Sequence, residues 1–147
     1  MRALVQRVSE AQVTVAGKVV GQIGRGSLVF LGVKQNDTSA DAEYLANKIT
    51  GLRIFPDENG KNNLSLADIG GALLIVSQFT LYADTQRGNR PSYAEAAGAE
   101  VAKPLYEHFV QCCRNMCSNL QTGVFQAQMS ISLVNEGPIT ILCSSDP

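Results

Sequence analysis

Apolar positions in the first third of the chain recur at every second residue. Leu4, Gln6 and Val8 alternate with Val5 and Arg7, and the runs Val13-Thr14-Val15 and Val19-Val20 to Ile23 follow, broken at Ala16-Gly17-Lys18 and at Gly24-Arg25-Gly26. A period of two belongs to half-buried strands, so this stretch is predicted as a β-meander of three or four strands. Ser27 to Val33 is almost continuously apolar and rich in β-branched and aromatic types, which predicts a central strand buried on both faces. It ends at the polar Lys34-Gln35-Asn36-Asp37.

The period then changes. Ala42, Leu45, Ala46 and Ile49 stand at helical spacing behind Thr38, which precedes Asp41 by three in a variant of the N-terminal capping pattern, and Gly51 closes the segment. Leu52 to Phe55 reads as a short strand, and Pro56 to Lys61 as a turn built on Asn59-Gly60. Ala72 to Phe79 is a second buried strand, and Thr85 to Pro91 a polar loop carrying Arg87 and Arg90. A second helix is predicted over roughly 99–118, burying Val101, Leu105, Phe109, Cys112 or Cys113, and Met116; Pro104 blurs its start by removing a donor. Gln128 to Val134 and Ile139 to Cys143 are closing strands, with Asn135-Glu136-Gly137-Pro138 as the connection. Taken alone, that Gly-Pro reads as a hairpin turn with a trans peptide. The order ββββ-α-β-β-α-β-β predicts an α/β chain with a mixed sheet and few parallel crossovers, in one domain over 1–147.

Composition narrows the class. With 45% hydrophobic and 17% charged residues the chain can pack a core and is not disordered. Its longest apolar runs, Leu28 to Val33 and Ala72 to Val76, fall far short of the ~18–20 residues of a membrane-spanning helix. Met1-Arg2-Ala3-Leu4-Val5-Gln6-Arg7 has no apolar h-region with a small-residue cleavage site, which predicts a cytoplasmic protein without a membrane partner. Cys112, Cys113 and Cys117 crowd one helix and leave Cys143 elsewhere, a poor disulfide framework, so reduced thiols are expected. Lys+Arg 12 against Asp+Glu 13 gives a net charge of -1 and no bulk attraction for nucleic acid, so an RNA partner must be gripped locally and DNA is not expected.

Most candidate chemistry deflates. His108 is the single histidine and lies amid Tyr106, Glu107 and Phe109, where a helix-surface or packing role is the simpler reading. That count rules out histidine-rich metal sites, and Cys112-Cys113-Arg114-Asn115-Met116-Cys117 lacks the paired spacing of a zinc site. Gly21 to Gly26 faintly evokes a phosphate loop but has no strand-to-helix setting, so a hairpin turn is predicted. Asp57 to Asn62 is acid-rich without the alternating ligands of a calcium loop. No metal or cofactor is expected. Two segments remain. Ser77-Gln78-Phe79-Thr80 puts three hydrogen-bonding side chains at the end of a buried strand, where sites form in α/β folds, and Asn135-Glu136-Gly137-Pro138-Ile139-Thr140 stands between two strands.

Together, Ser77-Gln78-Phe79-Thr80-Leu81 and Asn135-Glu136-Gly137-Pro138-Ile139-Thr140 resemble the two signature motifs of the D-aminoacyl-tRNA deacylases. The likeness extends in order through Ala3 to Val8, Leu31-Gly32-Val33, Leu52 to Phe55 with Asp57 and Gly60-Lys61, Arg87 to Pro91, and Ser132 to Asn135. The resemblance implies a partly open barrel of mixed and antiparallel sheets flanked by two helices. It further implies a homodimer that hydrolyses the ester joining a D-amino acid to the terminal adenosine of tRNA, and that removes glycine mischarged on tRNA-Ala. On that basis Ser77, Gln78, Phe79 and Thr80 line the reaction centre and Phe125 contacts the terminal nucleotide. Gly137-Pro138 is then cis and reaches into the site of the other subunit, which overrides the trans reading. Gln126 and Gln128 depart from the small and acidic residues usual in relatives, and Glu136 and Ile139 stand for Asp and Val.

An aminoacyl ester is already activated, so a chain without an active-site histidine suffices. Backbone N–H groups around Phe79 and Thr80 can stabilise the oxyanion, worth roughly 2.7–4 kcal/mol per donor in a well-studied hydrolase. The ribose 2′-OH beside the ester can activate water. Thr80 has two possible jobs, nucleophile or positioning group, and the missing base favours positioning. If carbonyls flanking Gly137-Pro138 hold the α-ammonium, an L side chain is driven into the turn while D and glycyl substrates pass. Arg87 and Arg90, with Arg2 or Lys34 and Lys48, are candidates for phosphate contacts. A threonine esterase acting on small esters and a non-catalytic RNA-binding protein are the rival readings.

Overall fold

The computed structural model describes residues 1–146. The alternating N-terminal stretch is one long strand, β1 (Arg2–Val15), which continues through the exposed Ser9 and Glu10. A hairpin at Ala16-Gly17 returns the chain as β2 (Lys18–Ile23) and β3 (Gly26–Gly32). Both pair with the same edge of β1: Val15↔Lys18 to Ala11↔Ile23 for β2, then Val8↔Gly26 to Arg2↔Gly32 for β3. Gly24-Arg25 is therefore a break in a continuing arm, and the hairpin expected at Gly21 to Gly26 is not formed. Gly21 lies inside β2 for a different reason. A Cβ there would stand 2.7 Å from the carbonyl oxygen of Thr122, so its lack of a side chain lets β2 close on the far edge of the sheet.

The chain then crosses over through α1 (Ser39–Thr50), passes a small two-stranded sheet of β4 (Phe55–Pro56) and β5 (Asn62–Leu64), and enters β6 (Ala72–Ser77). A 3-10 turn (Phe79–Tyr82), a loop and α2 (Ala99–Met116) lead to β7 (Leu120–Thr122) and to β8 (Ser130–Ser144). The main sheet runs β2-β1-β3-β6-β7, with β8 on the other edge of β1. Pairings of β1 are antiparallel, while β3–β6 and β6–β7 are parallel, the two crossovers that α1 and α2 provide. With β2 folded against β7 the sheet is a nearly closed barrel flanked by two helices, as expected.

Continuous apolar runs arise because both sheet faces are covered. Leu28, Ala72, Leu74 and Val76 face the barrel interior with Val8 and Val13, while Val29, Leu31, Leu73 and Ile75 face the helices. α1 buries the expected Ala42, Leu45, Ala46 and Ile49, and at its start the Asp41 carboxylate accepts from the N–H and hydroxyl of Thr38, each at 2.8 Å. α2 begins at Ala99 with Pro104 inside it, and its buried stripe is Ala102, Tyr106, Phe109, Val110 and Cys113. Val101 and Met116, expected inside, are exposed. The rotation follows from Tyr106, which packs inward because its hydroxyl finds the Ile75 carbonyl at 3.1 Å. All four cysteines are free, and burial pushes the Cys113 thiol up to about 12.

β8 corrects the last prediction about the sheet. The chain does not reverse at Asn135 to Pro138, since both halves of β8 pair with β1 in the same direction: Arg2↔Ser144 to Gln6↔Thr140, then Val8↔Asn135 to Thr14↔Ser130. Opposite the single residue Arg7, β8 spends four residues, Glu136 to Ile139. They form a bulge rather than a hairpin turn.

Candidate active site

The parallel strands β3 and β6 end side by side, and a cavity of about 500 Å³ opens beyond them. Leu31 and Val33 at the end of β3, Ser77, Gln78 and Phe79 after β6, and Phe125, Met129 and Ile131 from the chain around β8 line it. This is the place, outside the carboxyl ends of parallel strands, where α/β folds gather ligands. Phe125 stands against the Tyr106 ring at 5.6 Å between centroids, a tilted pair, and burial pushes the Tyr106 hydroxyl up to about 12.

Polar chemistry enters the cavity through the 3-10 turn. Ser77 closes β6, and Gln78 then hands its N–H to the Leu31 carbonyl at 2.7 Å. The first bond inside the turn runs from Leu81 N–H to the Gln78 carbonyl at 3.3 Å, which leaves the N–H groups of Phe79 and Thr80 outside the turn's own ladder. The Gln78 amide donates to the Thr80 hydroxyl oxygen. An amide is no base in either orientation, so this contact orients Thr80 without activating it.

The turn is fixed from behind. Gly32 lies so close that a Cβ there would sit 3.0 Å from the Gln78 carbonyl oxygen and 3.1 Å from Leu81 Cβ. The Arg2 guanidinium donates to the Leu81 carbonyl at 3.2 Å and lies 4.6 Å over the Tyr82 ring. Tyr82 is 2% exposed, and burial holds its hydroxyl well above the usual phenol range. Behind it the Met1 ammonium, wholly buried, donates to Asp37 at 2.8 Å. Arg2 and Lys34, candidates for phosphate contacts, are thus occupied: Lys34 pairs with Asp146, which raises the lysine and lowers the carboxyl. Arg87 and Arg90 remain on an exposed loop, and Lys48 stands 5.8 Å from the Tyr44 ring.

Gly137 and Pro138 are not in this cavity. They are exposed at the crest of the β8 bulge, and the peptide between them is cis. The bulge hangs on Arg7, a residue 8% exposed. Its Nε donates to the Glu136 carbonyl at 3.2 Å and pairs with the Glu136 carboxylate at 3.2 Å. One terminal nitrogen reaches the Ile54 carbonyl at 2.6 Å and Asn62 Oδ1 at 2.9 Å, and the other reaches the Gly137 carbonyl at 3.5 Å. Asn135 ties the base of the bulge by donating to the carbonyls of Arg7 and Ile139, at 2.9 and 3.0 Å.

Arg7 and Gly32 were not singled out as functional in the sequence. For Arg7 a signal exists: it is in phase with the inward Ala3 and Val5, and a charge at an inward strand position calls for buried acceptors. Of the departures, Gln126 lines the cavity with a left-handed φ of 64°, and Gln128 is exposed. His108 ties the helices, Nε2 to the Glu43 carboxylate at 2.9 Å. Among the described residues no cluster of three His, Cys, Asp or Glu side chains is arranged to hold a metal.

A barrel with a polar turn at the carboxyl ends of its parallel strands, and an external bulge fixed by an arginine, defines the class of molecule, and comparison with known proteins gives its relatives. The family model for D-Tyr-tRNA(Tyr) deacylase matches residues 4–144. Proteins named D-aminoacyl-tRNA deacylase from Thermosipho africanus and Koribacter versatilis are 58% and 59% identical, each over 99% of this chain and 97% of that protein. A solved structure named c-Myc DNA Unwinding Element Binding Protein superposes with a TM-score of 0.95 at 39% identity, covering 100% of both chains. A probable eukaryotic D-amino acid tRNA deacylase shares the fold, with a TM-score of 0.83 at 17% identity over 97% of each chain. The chain belongs to the D-Tyr-tRNA(Tyr) deacylase family. Its activity class is that of the family, a hydrolase of the ester bond in aminoacyl-tRNA.

Proposed function

We propose that the protein removes D-amino acids, and glycine mischarged on tRNA-Ala, from the 3′-terminal adenosine of tRNA, acts as a cytoplasmic homodimer, and spares L-aminoacyl esters. One observation carries this reading. The cavity and the Gly137-Pro138 bulge of one chain lie apart, the bulge exposed and firmly held, so a second copy can bring its bulge to the mouth of this cavity.

The terminal adenosine enters against Phe125, and the ester carbonyl meets the N–H groups of Phe79 and Thr80, which take the charge as water adds. The carbonyl–O3′ bond then breaks, and the proton released from water passes to the 3′ oxygen with the neighbouring 2′-OH as relay. Ser77 and Gln78 fix the approach, and the Thr80 hydroxyl, oriented by Gln78, positions the carbonyl. The partner's Gly137 and Pro138 carbonyls take the α-ammonium. With the α-carbon so pinned, an L side chain meets rigid backbone, a D side chain points outward, and glycine has nothing to clash. A DNA-binding role, suggested by the name of one relative, gains no support from a chain of net charge -1.

The test is deacylation of one tRNA charged in parallel with D-tyrosine, L-tyrosine and glycine. Fast loss of the D and glycyl esters with the L ester spared is expected. Equal loss of D and L sinks the chiral clamp, and survival of all three moves the chain to the binding-protein reading. Thr80→Ala is expected to keep a measurable rate; abolition together with loss of a trappable acyl-enzyme would make Thr80 the nucleophile.

A further inference from the structure

Phe79 and Tyr93 form an exposed aromatic pair at the cavity mouth. Their ring centroids are 5.1 Å apart at an interplanar angle of 74°, and they are 55% and 40% exposed. In an edge-to-face pair one ring spends a single face and the other only an edge, so most of the π surface here faces outward. Tyr93 is also held in place. Asp84 and Ser92 exchange backbone hydrogen bonds of 2.7 and 2.9 Å just before it, and just after it Gln35 N–H reaches the Glu95 carbonyl at 3.0 Å and Ala96 N–H the Tyr93 carbonyl at 3.1 Å. Such anchoring of an exposed aromatic stores contact area for something outside the fold.

We propose that Tyr93, with Phe79, is a stacking platform for the nucleobase immediately 5′ of the terminal adenosine, with Arg87 and Arg90 of the same loop meeting the backbone phosphates beside it. Two features point to a nucleotide. The platform is continuous with the cavity, since Phe79 belongs to both, so a strand whose last nucleoside is inside must pass over it. The loop that presents Tyr93 also carries two exposed guanidinium groups, the charge that a phosphate backbone needs and that the chain as a whole lacks. Stacking on aromatic side chains is how unpaired nucleotides are held without base-pair readout, which suits an enzyme meeting many tRNAs.

This inference rests on the deacylase reading, and the test separates the two. D-tyrosyl-tRNA has the preceding nucleotide; 3′-O-D-tyrosyl-adenosine lacks it. Tyr93→Ala is expected to raise KM for the tRNA ester about tenfold more than for the adenosine ester. Tyr93→Phe, which keeps the ring, should behave as wild type, and Tyr93→Leu, which keeps apolar bulk without a π face, should behave as Tyr93→Ala. Equal losses on both substrates, no loss on tRNA, or rescue by leucine each overturn the platform. Wild type failing on both esters would instead overturn the deacylase reading.

Discussion

The 3-10 turn at Phe79–Tyr82 and the bulge at Glu136–Ile139 are both set by β1, through Arg2 and Arg7, yet they are secured differently. The turn is backed by Gly32, by the buried Tyr82 ring and, behind that, by the Met1 ammonium and Asp37, so several independent contacts hold one shape. Gly137 and Pro138 stand in the open; Asn135 ties the base of their bulge, and the crest hangs on one guanidinium that spans the carbonyls of Ile54, Glu136 and Gly137 and the amide of Asn62. A concave wall can be distributed over the core. A convex probe cannot, because whatever steadies it must come from its base. The difference teaches that the cavity should tolerate substitution gradually, whereas the bulge should fail at once when its anchor goes.

The largest effect is therefore expected at Arg7. Arg7→Ala should lower kcat/KM on D-tyrosyl-tRNA by about 100-fold, or about 2.7 kcal/mol. Chemical denaturation should show only about 1–3 kcal/mol lost, from acceptors left unpaired. Arg7→Lys should fare little better, because an ammonium cannot span the same set of acceptors as a planar fork. An Arg7 variant with undiminished rate and undiminished D-over-L preference would break the comparison. Gly32→Ala probes the other half. The added Cβ pushes on Gln78 and Leu81 by a few tenths of an ångström, so kcat should fall about tenfold while stability drops by about 1–3 kcal/mol, as for other overpacked sites. A loss equal to that of Arg7→Ala would mean that the turn is as brittle as the bulge.

The smallest effect calibrates both, at the first turn of α1, which touches neither the 3-10 turn nor the bulge directly. Partial burial pushes the Asp41 carboxyl up, but the N–H and hydroxyl of Thr38, the Ser145 hydroxyl and the N-terminal ammonium together outweigh this and leave it below its ordinary value. A depressed carboxyl contributes stability above its unfolded pKa and loses it as pH falls through the folded one. Asp41→Asn should cost about 1 kcal/mol at neutral pH. The gap to wild type should narrow as pH falls below about 4, the ordinary carboxyl range, and close only as the wild-type carboxyl protonates at its depressed folded value. Thermal melts from pH 7 to 2.5, with the deacylation rate at neutral pH unchanged, check this.

Much of the molecule is legible in its sequence where one period dominates. α1 shows its face because Ala42, Leu45, Ala46 and Ile49 have no rivals, and β6 is a buried strand by apolar content alone. Ser77 to Thr80 stand out because polar side chains follow such a strand directly. The misreadings come from residues whose local meaning is overridden at long range. Gly24-Arg25 looks like a turn, but it faces Ser9-Glu10 across a single ladder, and only the pairing of both flanks with β1 reveals it. Gly137-Pro138 looks like a reversal because nothing local says that β1 will carry both flanks. Tyr106 turns α2 by one position through a carbonyl on a strand far away in sequence. Arg7 is legible only once β1 is known to have an inner face.

The bulge of β8 has a consequence for solubility. Among the described residues β8 pairs only with β1, so its other edge offers backbone N–H and C=O groups to any passing strand over its 15 residues. An unbroken flat edge of that length invites open-ended sheet growth. Glu136 to Ile139 step out of line and Pro138 has no N–H to give, which cuts the edge into two short stretches, Ser130 to Asn135 and Thr140 to Ser144. The bulge that carries Gly137-Pro138 thereby also breaks up an edge along which a sheet could otherwise grow.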